Sequence, residues 1–352
     1  MNQYEEEDLT PRSEEEAAEM ERDFRAAIEK SQQSEKGWRF GLPGNEEQDA
    51  RLERVFRTAA ARRMVAAREL REKEEKRIAE LIQLPLFPYP EATRIVSNDM
   101  ARSALFSATQ GADRKTLKDT VLATIDGIEI IFTGEQLNQD DHDLLMQLVD
   151  FARHKPFGEE VTVPANVILS ALGLEKGKSQ HEQLKAGMKR LLTPLVTIRN
   201  TKKRLTYYGH IIEEAVQDEA SRYWIYKLNA KMRLLYDKSS FSQIEWEGRR
   251  GLKRKDLARW LQAFYATHAD PFPLSVEFLH RMSGSSAKEL WKFRENLRKA
   301  LDALVGINFL LAWEIDAKSD LVSVQRAGKQ KDNQLSLPHI SHHLNQSGKG
   351  TQ

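Results

Sequence analysis

The chain has 352 residues, a formal charge of +1, 40% apolar residues and no cysteine. That length suits two ordinary domains, and the missing thiols exclude disulfides and thiolate metal sites while fitting a reducing cytoplasm. No run approaches the roughly 18 apolar residues of a membrane span, and the start, MNQYEEEDLT, is acidic where a secretory signal would be basic and then apolar, so a cytoplasmic protein without a membrane partner is expected.

The near-neutral total hides a gradient. Residues 1–30 hold eleven acids against four bases, and residues 248–300 hold twelve bases against five acids. The basic segment also contains Trp260, Phe264, Tyr265, Trp291 and Phe293. Polyanion contact and an ordinary solvated helix face both fit this composition.

Residues 1–50 are charged and polar and are expected to be an acidic disordered region. Over 51–82 the sequence turns rich in Ala, Arg, Glu and Leu without Gly or Pro, which predicts one exposed charged helix. Its apolar positions are too few for a coiled coil. Residues 83–97, opening QLPLFPYP, read as a linker because Pro85, Pro88 and Pro90 forbid a helix. Three large apolar side chains in a connector fit a peptide ligand, with Gln83 hydrogen-bonding a partner and Leu84, Leu86 and Phe87 entering apolar pockets. Packing of the strip back onto its own domain is the other possibility.

The remainder is written twice. DLLMQLVDFARHKPF (143–157) and DLARWLQAFYATHADPF (256–272) both start Asp-Leu, run as one amphipathic helix and end at Pro-Phe after a His. Each is followed by a short helix, a turn containing Gly, a longer helix and β-prone segments. In the first copy LVTIRN, RLTYYGHIIEEAV and SRYWIYKLN supply a sheet with TKK at a turn; in the second INFLLAWEID and DLVSVQR pair across AKS. An extra hairpin, TVLATIDGIEIIFT, precedes the first copy and turns at Asp126-Gly127. This order is that of a winged helix-turn-helix, giving an α+β fold of two tandem winged-helix domains, residues 98–229 and 230–326, after a disordered and helical N-terminal region and before a disordered tail, 327–352. An unrelated pair of α+β domains remains the competing reading.

A reading helix must be apolar on one side only. Leu290, Phe293, Leu297, Leu301 and Leu304 form such a stripe in the second copy, leaving Lys288, Lys292 and Lys299 outward with Ser285 at the margin. Leu184, Met188, Leu191 and Leu192 do so in the first, leaving Ser179, Gln183, Lys189 and Arg190 outward. The cluster GRRGLKRK adds Arg249, Arg250, Lys253, Arg254 and Lys255 as phosphate candidates. GLEKGKS (173–179) approaches a phosphate-binding loop but has three residues between its glycines where four are needed, and it follows a helical segment instead of a strand. His142, His154 and His181 lack metal-ligand spacing, and no catalytic constellation is found, so neither an enzyme nor a cofactor is expected.

QLPLF resembles the bacterial sliding-clamp-binding motif, with Pro85 at its variable place. Together with NDMARSALFS (98–107), FTGEQLNQDDHDLL (132–145) and the block from HADPFPLSVEFLHRMSG to LWKFRENL (268–297), it resembles the TrfA family of plasmid replication initiators over about residues 83–326. The resemblance implies two winged-helix domains that bind origin iterons as double-stranded DNA, help open AT-rich DNA and recruit the sliding clamp. The host helicase, the host initiator DnaA and a monomer–dimer equilibrium are further implied. The tail's NQLSLPHI is similar to a second clamp motif at Gln334, Leu335 and Leu337, with His339 in place of the final large apolar residue. A tandem winged-helix transcriptional regulator shares the DNA face but has no use for a clamp peptide.

Overall fold

The computed structural model of the chain describes residues 66, 68, 70–109, 114–125, 127–218, 220 and 222–327. The chain divides into two compact units, residues 1–81 and 82–352. The expectations for residues 1–50, for the first half of the charged helix, for Asp126 and for the tail with Gln334, Leu335 and Leu337 lie outside the described residues. Residues 70–82 form helix α1. Its ion pairs, Arg68–Glu72 at 2.9 Å and Arg77–Glu74 at 2.6 Å, are exposed and at helical spacing, so they support the helix locally.

In the second unit the two copies adopt the same order of elements. The first comprises α3 (Gln139–Phe151), β6 (Val161–Pro164), α4 (Ala165–Ala171), α5 (Lys178–Leu192), β9 (Ile212–Asp218) and β10 (Tyr223–Leu228). The second comprises α7 (Asp256–Ala266), β12 (Leu274–Ser275), α8 (Val276–Ser283), α9 (Leu290–Gly306), β13 (Leu310–Ile315) and β14 (Leu321–Arg326). Each builds a three-stranded antiparallel sheet in which the strand before the short helix pairs with the last strand: β6-β10-β9 and β12-β14-β13.

Local chemistry sets these elements. Asn138 caps α3 by accepting from the Asp140 amide at 3.0 Å, and Asp141 accepts from the Asn138 amide in return at 3.0 Å. Ser275 caps α8 through the Phe278 amide at 3.1 Å, and Gly284, with φ +60°, ends it in the left-handed conformation. A Cβ on Gly187 would come within 2.9 Å of Leu144, so the glycine lets α5 lie close on α3. The expected stripes are buried: Leu184, Met188 and Leu191 in α5, and Phe293, Leu297, Leu301 and Leu304 in α9. Each such side chain contributes about 1.5–3 kcal/mol by leaving water.

Three boundaries differ from expectation. The stretch expected as a linker carries β1 (Thr93–Ser97), which pairs antiparallel with β11 (Phe241–Glu245) and so belongs to the folded body. A 3₁₀ segment, Ala230–Tyr236, places Met232, Leu235 and Tyr236 in the core of the first copy, moving the border between copies past 230. Conversely, α2 (Asn98–Ala101) leads into residues 102–109, which cross to the second copy: the Ser103 carbonyl accepts from the Trp260 indole at 3.0 Å and the Ala108 amide donates to Ser283 at 2.7 Å. There β2 (Phe106–Ser107) also lies parallel to β5 (Leu137–Asn138).

RLTYYGHIIEEAV is also not one strand. It breaks after β8 (Leu205–Gly209), which joins β7 (Leu195–Asn200), β4 (Ile128–Glu135) and β3 (Thr116–Leu122) in a separate sheet, β3-β4-β7-β8. The corner is fixed by His210, whose Nδ1 lies 2.8 Å from the Pro194 carbonyl, and by the Tyr207 hydroxyl, which donates to the His210 carbonyl at 2.5 Å. The Pro-Phe landmark diverges between copies: Phe157 is 3% exposed, Phe272 67%.

Candidate nucleic-acid interface

α9 turns its polar side outward. Lys292 and Lys299 are exposed, and both hold Glu295, at 2.8 Å and 2.6 Å. Hydrogen bonds from the two lysines lower the Glu295 carboxyl to about 2, so it stays ionised. Beside the helix runs a groove of ≈470 Å³ lined by Arg254, Lys255, Ser285, Lys292, Asn296 and Lys299. Five of the expected contacts therefore converge, while Lys288 is exposed in the turn ahead of the helix. Part of the Ser285 hydroxyl's capacity is taken by the Ala287 amide, at 3.3 Å. Arg294 binds Asp320 at the hairpin turn through two bonds of 2.9 and 2.7 Å, fixing the β13–β14 hairpin against α9.

The aromatic residues of the basic segment are mostly structural. Trp260, Phe264, Tyr265 and Phe293 are buried core, and Trp291 alone among them is exposed, at 63%. The expectation of aromatic interleaving thus reduces to one side chain.

On α5, Ser179, Gln183 and Lys189 are exposed as expected. Arg190 is not an outward residue. It turns back to Asp141, Nε to Oδ1 at 2.9 Å, and Arg114 meets the other carboxylate oxygen at 2.6 Å. Asp141 is buried, so its charge requires these partners, and Arg190 is withdrawn from the candidate DNA contacts.

The cluster 248–255 splits for the same reason. Arg249, on α6 (Trp246–Gly251), is 0% exposed; it binds Asp143 at 2.7 Å, Gln139 at 2.7 Å and the Arg259 carbonyl. Arg259 in turn binds Asp143 at 2.7 Å, Asp140 at 2.7 Å and Asp256. A buried guanidinium so bound cannot serve a phosphate, which corrects the expectation for Arg249. Arg250 pairs with Glu247 at 2.6 Å and packs on Gly173, and the Lys253 ammonium donates to the Gly173 carbonyl at 3.0 Å. Arg254 and Lys255 reach the α9 groove instead. His142 stacks on Phe106 at 4.3 Å, and burial together with Arg249 and Arg259 pushes its pKa well below the usual imidazole value. Between α5 and this network opens a cleft of ≈750 Å³, with Gln180 and Gln183 on one wall and Arg250, Lys253 and Arg254 on the other.

This joint is the structural feature the sequence did not reveal. Its one local signal was Arg259, a charged residue between Ala258 and Trp260 on the apolar face of α7.

The pentapeptide 83–87 is docked on its own unit. Gln83 is exposed and Leu84 is 52% exposed, whereas Leu86 is 6% exposed and sits in the first core. The buried Arg233 guanidinium donates to the Leu84 carbonyl at 3.2 Å and the Pro85 carbonyl at 3.1 Å, and lies 5.0 Å from the Phe87 ring centre. Tyr89 continues the strap: its hydroxyl donates to Asp150 at 3.0 Å under the Arg153 guanidinium. The expectation of three freely presented apolar side chains is corrected to one, Leu84.

Two copies of one helix-and-hairpin topology, joined by a buried ion network and each presenting a polar helix, define a two-headed mixed α/β protein. The model of the TrfA protein family matches residues 58–326, and the chain belongs to that family. It is 25% identical over 267 residues to the plasmid replication initiator protein TrfA of Escherichia coli, covering 72% of this chain and 68% of that protein. Among solved structures it is similar to domains 2 and 3 of RctB (TM-score 0.43, 14% identity, 65% of this chain and 99% of that one). It is also similar to the Pi initiator protein in complex with iteron DNA (TM-score 0.41, 15% identity, 53% and 95%).

Proposed function

We propose that the chain is a plasmid replication initiator that binds origin iterons as double-stranded DNA through two tandem winged-helix units. It then promotes opening of adjacent AT-rich DNA and recruits the host sliding clamp and replication machinery. The family supports initiation. The observation that carries DNA binding is the convergence of Arg254, Lys255, Ser285, Lys292 and Lys299 on one groove beside α9. A winged helix puts its second helix in the major groove and holds phosphates with cations at the helix ends and wing, and the strand orders β6-β10-β9 and β12-β14-β13 are those such units require. α5, with Ser179, Gln183 and Lys189, extends the interface over a longer repeat. No step of this function needs a catalytic group or a cofactor. Binding of helicase and DnaA, and a monomer–dimer equilibrium, belong to the same proposal, as does a bacterial cytoplasmic setting.

The test is fluorescence anisotropy with an origin-repeat duplex and a scrambled duplex over a salt series. Lys255→Ala/Lys292→Ala/Lys299→Ala should weaken binding and flatten the salt slope by roughly 0.9 for each phosphate no longer neutralised. Equal affinity of the native chain for both duplexes would sink the initiator reading.

A further inference from the structure

We propose that Trp291 reads thymine, its indole packing against 5-methyl groups in the major groove of the repeat; this deepens the DNA-binding reading and rests on it. Trp291 lies in the first turn of α9, the part of a reading helix that reaches base edges. It is 63% exposed, whereas Trp224, Trp246 and Trp260 are buried and the Trp313 indole donates to Asp302 at 3.0 Å. At 100° per residue it shares a face with Glu295 and Arg298, opposite Phe293, Leu297 and Leu304, so no rotation of the helix within its core would cover it.

The surroundings select the occupant. Lys292 stands 5.8 Å from the indole centre and α9 has no side-chain cap; Glu289 at the N-cap position and Glu295 one turn on are outnumbered by Lys288, Lys292, Arg298 and Lys299, so the neighbourhood is positive. An occupant must therefore offer both negative charge and apolar surface, which duplex DNA does. Lys292 and Lys299, which share Glu295, lie roughly a quarter turn to one side of Trp291, so the phosphates they would hold fall beside the indole and not on it. Trp291 is thereby directed at base edges and away from the backbone. The apolar group on the major-groove edge of a base is the thymine methyl; the remaining groups there are hydrogen-bond donors and acceptors. An exposed indole beside Lys292 is consequently matched to a thymine-bearing step.

The experiment measures binding of the full chain, of Trp291→Ala and of Trp291→Phe to the origin-repeat duplex and to the same duplex with deoxyuridine in place of thymine. The native chain should bind about fourfold more weakly for each methyl removed from the indole. Trp291→Ala should bind both duplexes alike, at the weaker affinity, and Trp291→Phe should keep part of the difference. Because the side chain is exposed, the unfolding midpoint should not move, which separates a weakened interface from a damaged fold. Equal weakening on deoxyuridine for native and Trp291→Ala would overturn the assignment, as would a Trp291→Ala defect of the same size on both duplexes. The first outcome would leave the indole to a protein partner, and the second would place it on sugar or unstacked bases. A native chain with no preference for the repeat would overturn the function, and this assignment with it.

Discussion

Asp143→Ala removes the carboxylate that joins Arg249 to Arg259 and so weakens the ion network between the two copies. Two bonds of 2.7 Å vanish at once, one to each guanidinium. Arg249 is left buried with the neutral Gln139, Gln262 and Arg259 carbonyl as its partners, whereas Arg259 keeps Asp140 and Asp256. Removing one partner of a buried pair costs about 3–5 kcal/mol, and because Asp143 is only half-buried and Arg259 retains two acids, a loss of roughly 3 kcal/mol is expected. With a urea m-value of about 2–3 kcal/mol per molar, the midpoint should fall by roughly 1–1.5 M. Asp320→Ala, which breaks the more exposed Arg294 pair, serves as the control and should cost about 1 kcal/mol or less.

The same variant should separate stability from geometry on DNA. If the network holds α5 and α9 at a fixed spacing, loosening it lowers the effective concentration of the second head. Affinity for the full repeat should then fall while affinity for a half-repeat stays put. Denaturation followed by tryptophan fluorescence, with anisotropy on both duplexes below the transition, reads both effects. A midpoint within the scatter of the native one would refute the reasoning about the joint, and an equal fall on both duplexes would refute its role in spacing.

Glu295→Ala frees Lys292 and Lys299 for phosphates, so binding to scrambled duplex should strengthen several-fold; unchanged binding would show that those lysines do not meet DNA. The His142 pKa is depressed in the folded state below an ordinary value of 6.5. The unfolded chain therefore takes up the proton first as pH falls. The stability tied to the neutral imidazole is fully present above pH 6.5 and should be lost at up to about 1.4 kcal/mol per pH unit below it, until the folded pKa is reached. His142→Gln should flatten that part of the urea midpoint between pH 7 and 5.5, and a slope equal to the native one would place the titration elsewhere. For the clamp, Gln83→Ala/Leu84→Ala should abolish capture without moving the unfolding midpoint, since both residues are exposed, whereas Leu86→Ala should itself cost about 2–5 kcal/mol of stability. A peptide of residues 80–90 that fails to bind the clamp would end that reading, and competition by a peptide of residues 330–343 tests the tail motif.

What was legible in the sequence was periodic or local. The apolar stripes of α5 and α9, the duplication and the turn at Lys202 follow from spacing and turn chemistry over a few residues. The overturned expectations all depended on distant partners. Nothing in GRRGLKRK distinguishes Arg249 from Arg250; what separates them is Asp143, more than a hundred residues earlier in the chain. Arg190 likewise looks solvated until α3 brings Asp141 beneath it. The strap 83–90 reads as exposed because prolines exclude a helix, but its fate is set by Arg233, which no short window contains. Composition could not tell the core residues Trp260, Phe264, Tyr265 and Phe293 from the exposed Trp291, although helical phase already sets Trp291 opposite Phe293.

The two copies share a topology but not an electrostatic task. In the first, the acids at the start of α3 are engaged in holding cations: Asp141 takes Arg114 and Arg190, and Asp140 and Asp143 take Arg259, with Asp143 also meeting Arg249. Arg190 would otherwise add to the outer face of α5, which is left with Ser179, Glu182 and Gln183 among the exposed Lys178, Lys185 and Lys189. In the second copy the lysines of α9 are tied only to an exposed glutamate, an arrangement that phosphates can displace at little cost. On the proposed reading the groove beside α9, where Arg254 and Lys255 join Lys292 and Lys299, therefore carries the larger share of the salt-dependent affinity. A repeat bound this way has a direction, because exchanging its halves would set α5, with Ser179, Gln183 and Lys189, against the half that α9 meets with Trp291, Lys292 and Lys299. Reversing one half of the repeat should thus weaken binding more than any single base change.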